Sequence, residues 1–487
     1  MLDAYLPRTD RWRILAATVP VALSSGTLFV YSVYGTQLAD KCGLDSSLAA
    51  NLNISATVGT SVGGLLGGYI TDMYGTQIPV FSSLVFVGLG YKWLHWLYGQ
   101  GMDAPAWQLI VAMFLVGIGS TSSYFASIKA VTVMFPQYKG SAQSVTIASF
   151  AISSLLYSFV YSSVFKGDVS RFLLFLSLSS LVMQFIGVLF VRVDGHKTDR
   201  PDVQGPELNH GPEFDHLIHE RLPLVLASSS SVNLPSLAED DKPDGLTLKL
   251  LDVKHSLVHP IFIFHFVVMA IMQGIGQMYI YSVGFVIKAL HYEFSHLPEA
   301  QGVPSLHSIQ ALHVSLIAIF SFVGRLASGP LADTIVNRFK GHRQWVTILG
   351  ALIMFLGQFA LSFPIDKWSN QLSTVNTILS VISCFIGFAY GLTFTTFPGI
   401  VADLFSLKIY SLIWGIMYSS TVPGLTIFTK VFGYIYDENS VFVGGDLVCA
   451  KGSRCYLETF ELTSSLCVVV AGSLLVYLYI ASRKKGN

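Results

Sequence analysis

The sequence predicts an all-α integral membrane protein with twelve transmembrane helices in two pseudo-symmetric six-helix bundles. Three observations carry this. The 487 residues are 52% hydrophobic and only 12% charged, against about 25% charged in a soluble domain. That leaves too little polar surface to cover a water-soluble globule of this length. Twelve apolar runs are long enough to cross a bilayer, which takes about 20 residues of helix. Segments of the first half also recur, in the same order, in the second.

The runs lie near 14–37, 49–71, 78–98, 106–135, 141–164, 171–192, 258–287, 306–332, 345–363, 372–400, 409–435 and 457–482. They are continuous and lack the roughly ten-residue alternating segments of a barrel strand. Most contain Gly, Ser and Thr, which let helix backbones approach in lipid. The start, MLDAYLPRTDRWR, is polar and basic; no cleavable signal is expected, and the first span is expected to act as the insertion signal.

The expected organisation is a cytoplasmic N-terminus (1–13), a first bundle (14–193), a linker (194–257), a second bundle (258–482) and a cytoplasmic tail (483–487). The linker is acidic from Asp194 to Asp252, holds scattered prolines and the run Ser228–Ser231, and reads as mostly disordered. Its histidines (His196, His210, His216, His219) are irregularly spaced, so they read as a solvated loop rather than a metal site. Leaving the linker aside, eleven Lys and Arg fall in the segments assigned inside and seven in those assigned outside. This bias favours both ends in the cytoplasm.

Net formal charge is zero, so nothing points to nucleic acid. The five cysteines show no CxxC spacing, no cofactor is implied, and no nucleophile–base set or metal cluster marks an enzyme. Cys449 and Cys455 flank Ala-Lys-Gly-Ser-Arg in the last outer loop; a small disulfide ring and two free thiols are both open readings.

The repeat is specific. Gly26–Val33 reads GTLFVYSV and Gly276–Val283 reads GQMYIYSV, 250 residues later; Val62–Asp72 reads VGGLLGGYITD and Val323–Asp333 reads VGRLASGPLAD, 261 residues later. Matches of Gly, Tyr, Ser and Asp at fixed spacing in two neighbouring helices outweigh a chance likeness of apolar helices. Duplicated halves, with substrate bound near the bilayer midplane, are a common design of secondary transporters. Gly68 and Gly329 are expected to allow close helix packing. Asp72 and Asp333, where each helix leaves the membrane, are expected to meet a helix N-terminus or an arginine and so hold one conformation as a gate.

These segments resemble the loop signature of the major facilitator superfamily, G-x-L-x-D-R-x-G-R-K. Gly68 and Asp72 match, but Met73, Thr76 and Gln77 stand at its basic positions; the second copy keeps Gly329, Leu331 and Asp333, with a displaced Arg338. The chain is similar to the nodulin-like branch, including fungal transporters named as monocarboxylate-transporter homologues. The residues that carry this are Gly26–Gly35, Gly274–Leu290, Gly324–Asp333, Gly387–Phe405, Trp414-Gly415, and Tyr436-Asp437 followed by two cysteines. The resemblance implies the major facilitator fold and solute transport. Animal monocarboxylate carriers use a first-helix lysine and an Asp–Arg pair in the eighth. Here only Arg325 fits, with Ser321 at the aspartate position, so proton-coupled lactate transport is not implied.

Arg325 is the foremost site residue. It precedes Asp333 by eight residues, about 12 Å along a helix, near the middle of a core roughly 30 Å thick. An intramembrane charge marks a functional site by default. It suits a substrate carboxylate or, as the alternative, a structural bond to helix carbonyls. Gln273, Gln277 and Tyr281 follow at i, i+4 and i+8, and Tyr31 is the repeat mate of Tyr281. They are expected either to line a shared aqueous chamber or to tie helices together. Lys129 can bind substrate but is expected to snorkel, as is Lys92. His265 and His313 can relay protons or simply sit in the core.

The expected function is transport of a small polar solute, an organic anion on the strength of Arg325, by alternating access, with proton coupling open. A membrane sensor keeping the transporter fold without flux is the alternative. An acidic dileucine pattern at Glu213–Ile218 would engage sorting machinery for the vacuolar membrane, and Lys484-Lys485 fits an endoplasmic reticulum retrieval tail. The vacuolar membrane is favoured, with the endoplasmic reticulum and plasma membrane as alternatives.

Overall fold

A computed structural model describes residues 8–44, 46–193, 253–295, 306–369, 371–443, 446–449 and 451–486. The sorting pattern at Glu213–Ile218, the Ser228–Ser231 run and the linker histidines lie outside the described residues.

The helices are α1 (Arg8–Ser25), α2 (Tyr31–Lys41), α3 (Ser46–Tyr74), α4 (Gln77–Gln100), α5 (Ala106–Met134), α6 (Lys139–Val160) and α7 (Val169–Phe190). They continue as α8 (Pro260–Ser295), α9 (Leu306–Asn337), α10 (Gln344–Leu361), α11 (Leu372–Leu404), α12 (Tyr410–Ser419), α13 (Thr421–Glu438) and α14 (Leu457–Gly486). Two rods are built from broken pieces, α1–α2 and α12–α13, so the helices match the twelve expected spans one for one. Among the described residues, ten helical stretches are long and apolar enough to cross a membrane. The remaining two rods are α3, which carries Asn51, Asn53 and many Ser and Thr, and α4, which carries Lys92, His95 and Gln100.

Both breaks have local causes. Between α1 and α2 the chain tightens into a 3-10 turn, Gly26–Val30. There the Thr27 hydroxyl donates to the Ser24 carbonyl at 2.6 Å. A Cβ at Gly26 would stand 2.4 Å from the Phe150 carbonyl oxygen, so only glycine fits the approach. Such a turn inside a helix often marks a hinge or local strain. Between α12 and α13, Pro423 has no N–H to offer the Ser419 carbonyl four residues back, and the rod is interrupted at Ser420.

Contacts divide the chain into two compact units, Met1–Phe264 with Pro398–Tyr418, and His265–Phe397 with Ser419–Asn487. The second bundle expected at 258–482 thus contains a segment, 398–418, that packs with the first unit. In the first unit the core gathers Tyr34, Tyr91, Leu94, Met113 and Phe172. Here α3 lies against α5 without side chains between them: a Cβ at Gly63 would reach 2.3 Å from the Ile118 carbonyl oxygen, and one at Gly117 would reach 2.2 Å from that of Ala56. In the second unit α9 and α11 meet in the same way, with Gly324 against Phe388 and Gly391 against Ser321 at 2.2 and 2.1 Å. The second and fourth spans of each half are therefore joined backbone to backbone.

Among the described residues a short ribbon also falls outside the helical pattern. Between α13 and α14, β1 (Val441–Val443) pairs antiparallel with β2 (Asp446–Val448), and Cys449 is bonded to Cys455 with Cα atoms 6.1 Å apart. Inside that ring Gly452 has φ +57°, a left-handed conformation that glycine adopts without cost. The Ser453 hydroxyl donates to the Asp366 carboxylate. Of the cysteines within the helices, Cys467 is buried and Cys384 half-buried, and both are free.

A side chain at Gly391 must push two backbones apart, and overpacking of this kind costs about 1–3 kcal/mol. Gly391→Val is expected to lower the melting temperature of the purified protein by several degrees. The same change at Gly433, where a Cβ meets nothing within 4 Å, is expected to leave it unchanged.

Candidate functional site

Arg325 sits on α9 and is 6% exposed. Its guanidinium carbon lies 4.6 Å from the centroid of the Phe394 ring and 5.5 Å from that of Tyr390, both on α11. Cation–π contact of this kind gains strength where water is excluded. The side chain makes one loose hydrogen bond, Nε to Ser321 Oγ at 3.5 Å, and Nη1 is buried without a partner. The guanidinium therefore rests on aromatic faces rather than on helix carbonyls, and one edge retains its donor.

The amides of α8 reach the same stretch of α11. Gln277 Nε2 donates to the Tyr390 hydroxyl at 3.2 Å. Gln273 Nε2 donates to Thr393 Oγ1 at 3.1 Å, and Gln273 Oε1 is buried without a partner. A Cβ at Gly276 would lie 2.5 Å from the Tyr390 ring, so the glycine lets Tyr390 pack against α8. The structure thus groups three residues expected at the site, Arg325, Gln273 and Gln277, around Tyr390, Thr393 and Phe394.

Tyr281 departs from that stripe and is 60% exposed. Eight residues at 3.6 per turn carry a side chain about 80° around a helix, so an i, i+4, i+8 series drifts off its face. Tyr31, its repeat mate, is half-buried in the first unit with its ring edge-on to Tyr34 at 5.6 Å. His265 approaches Gln344 at 3.4 Å. His313 Nδ1 pairs with Ser383 Oγ at 2.9 Å, and Ser383 pairs with the Tyr279 hydroxyl at 2.8 Å.

The first unit holds a second polar centre. Asp72, on the last turn of α3, accepts from Ser411 N–H at 3.1 Å and Leu412 N–H at 2.8 Å, in the first turn of α12. Lys129 Nζ donates to the same carboxylate at 2.6 Å. The expected snorkelling of Lys129 is overturned: it is 2% exposed, because a carboxylate within reach compensates a buried ammonium better than a stretch to the interface. Lys92, by contrast, is exposed. A Cβ at Gly68 would stand 2.6 Å from the Ser411 carbonyl oxygen, so the bare glycine admits α12 to the carboxylate. Gln143 Nε2 donates to the Tyr410 hydroxyl at 3.1 Å and to Thr132 Oγ1 at 2.6 Å, and Lys139 pairs with Asp403. In the second unit, Asp333 accepts from Arg343 Nη1 at 2.8 Å. The displaced Arg338 is exposed, and Gly329 is buried on α9.

A model of the Major Facilitator Superfamily matches residues 14–434. The chain belongs to that superfamily. Its similar proteins include the uncharacterized membrane protein YMR155W of Saccharomyces cerevisiae, 28% identical over 96% of this chain and 95% of that protein. They also include the probable transporter MCH1 of Yarrowia lipolytica, 23% identical over 97% and 93%. Among solved structures the proton:xylose symporter XylE aligns with a TM-score of 0.58 at 15% identity over 94% of this chain and 95% of that one. The human organic anion transporter MFSD10 aligns with a TM-score of 0.56 at 15% identity over 96% and 100%. These structures share the fold.

Within this superfamily the chain departs from the loop signature at its basic positions, Met73, Thr76 and Gln77. Lys129 supplies the positive charge to Asp72 from the neighbouring helix. Thr76 turns to the chain leaving α7 instead, donating through Oγ1 to the Val191 carbonyl at 2.9 Å and accepting from Val193 N–H at 2.9 Å.

Breaking a buried ion pair by removing one partner costs about 3–5 kcal/mol. Lys129→Met is expected to lower the thermal stability of the purified protein strongly. The double variant Asp72→Asn/Lys129→Met is expected to recover most of the loss. Equal destabilisation in both would show that the pair contributes nothing as a pair.

Proposed function

We propose that this major facilitator protein is a secondary transporter that moves a small organic anion by alternating access, with Arg325 as the substrate-binding cation. The observation that carries the reading is the buried guanidinium. It is held by two aromatic rings and one hydroxyl, and its Nη1 donor is unmatched. No carboxylate pairs with it among the described residues. A charge kept in the membrane interior without a counter-ion is costly, and an anionic substrate supplies the missing partner by charge-assisted hydrogen bonds. Gln273 and Gln277 give the same neighbourhood neutral polar groups. Relatives named probable transporters support the general activity.

Asp72 has the role of a gate in this reading. Its carboxylate caps the first turn of α12, where an anion is favoured by the helix dipole and the unsatisfied N–H groups. Opening at this end requires those bonds to release. Asp333 with Arg343 is the corresponding pair of the second unit.

Reconstituted protein is expected to take up labelled organic acids from a panel of acetate, pyruvate, succinate and citrate. Arg325→Met should abolish that uptake while the protein still purifies as a folded species with an unchanged melting profile. Normal uptake by folded Arg325→Met would remove the guanidinium from the mechanism.

A further inference from the structure

The site holds two unmatched groups of opposite kind. Arg325 Nη1 is a donor without an acceptor, and Gln273 Oε1 is an acceptor without a donor; both atoms are buried. Neither belongs to a surface side chain: Gln273 is fully buried and Arg325 nearly so. Each is fixed from behind. The Gln273 amide is oriented by its bond to Thr393 Oγ1, and the guanidinium by the faces of Tyr390 and Phe394. Residues three and four apart lie on one face of a helix. Tyr390, Thr393 and Phe394 therefore set the two orphaned atoms beside one turn of α11, a rise of about 5.4 Å.

A simple carboxylate satisfies only half of this arrangement. It accepts from Arg325 but leaves the Gln273 oxygen dry and unpaired, and a buried polar atom without a partner costs free energy. We infer that the substrate is a small carboxylic acid with a hydrogen-bond donor, a hydroxyl or an ammonium, close to its carboxylate: the carboxylate meets Arg325 Nη1 and the donor meets Gln273 Oε1. This rests on the organic-anion reading and narrows it. Sites built to bond a polar substrate group discriminate strongly against the analogue that lacks it, because their own groups are then stranded.

The test uses the full chain in lipid nanodiscs and two matched series, acetate, glycolate and glycine, then butyrate, 2-hydroxybutyrate and 2-aminobutyrate. Dissociation constants are read from thermal-shift titrations. In the series that fits the site, the hydroxy or amino acid is expected to bind at least about tenfold more tightly than the plain acid of equal length, the value of one good hydrogen bond. Which of the two binds more tightly identifies the donor. Gln273→Met keeps the volume and removes the acceptor, so it should bind all three acids of that series alike. Thr393→Val, which frees the amide to turn, should weaken the preference and serves if Gln273→Met does not fold. Equal binding of plain and substituted acids by the wild type, or a preference that persists in folded Gln273→Met, overturns the inference and leaves the organic-anion reading standing. Binding of none of the six acids overturns the inference, and binding of none of these and none of pyruvate, succinate and citrate overturns both.

Discussion

The Asp72 carboxylate carries its charge into a protein interior surrounded by lipid, and its partners organise the end of the first unit. An ammonium from α5 and two backbone N–H groups from α12 converge on its two oxygens. The α12 groups come this close because Gly68 has no side chain and leaves room for the Ser411 carbonyl. Burial takes these charges out of water, so each buried charge among the described residues must be answered by another part of the chain or by a ligand. Asp72 is answered by Lys129, and Asp333 by Arg343. Among the described residues Arg325 meets aromatic faces and a hydroxyl but no carboxylate.

The same constraint explains the company Arg325 keeps. Tyr390 serves at once as a face for the guanidinium and as an acceptor for Gln277, so the cation and the amide are positioned by one ring. Gly276 lets that ring press against α8, and Gly391, one residue after the tyrosine, lets α11 lie flat on α9. Small residues here set the distance at which larger ones can work.

The helices were readable from the sequence because lipid enforces length and composition together: the expected spans each have a helix, mostly within a few residues of their bounds, with α8 running eight residues past its expected end. The site was readable in part. Arg325, Gln273 and Gln277 stand out because a polar side chain in an apolar run has few permitted surroundings. Their partners Tyr390, Thr393 and Phe394 do not, since tyrosine, threonine and phenylalanine are ordinary in a membrane helix and only three-dimensional packing shows which face they turn. Lys129 illustrates the converse. Its distance from the helix end allowed it to reach the interface, and nothing in its own neighbourhood disclosed that Asp72, 57 residues earlier, would lie beside it. The short ribbon at Val441–Val448 fell in a loop with no apolar run to define it.

The covalent ring at Cys449–Cys455 has a consequence for how the protein is made. Thiols become joined and stay joined where the surroundings are oxidising, as in the lumen of the secretory pathway, and remain reduced in the cytosol. Production under reducing conditions would leave the ring open, and the grip of Ser453 on Asp366 would lose its covalent support.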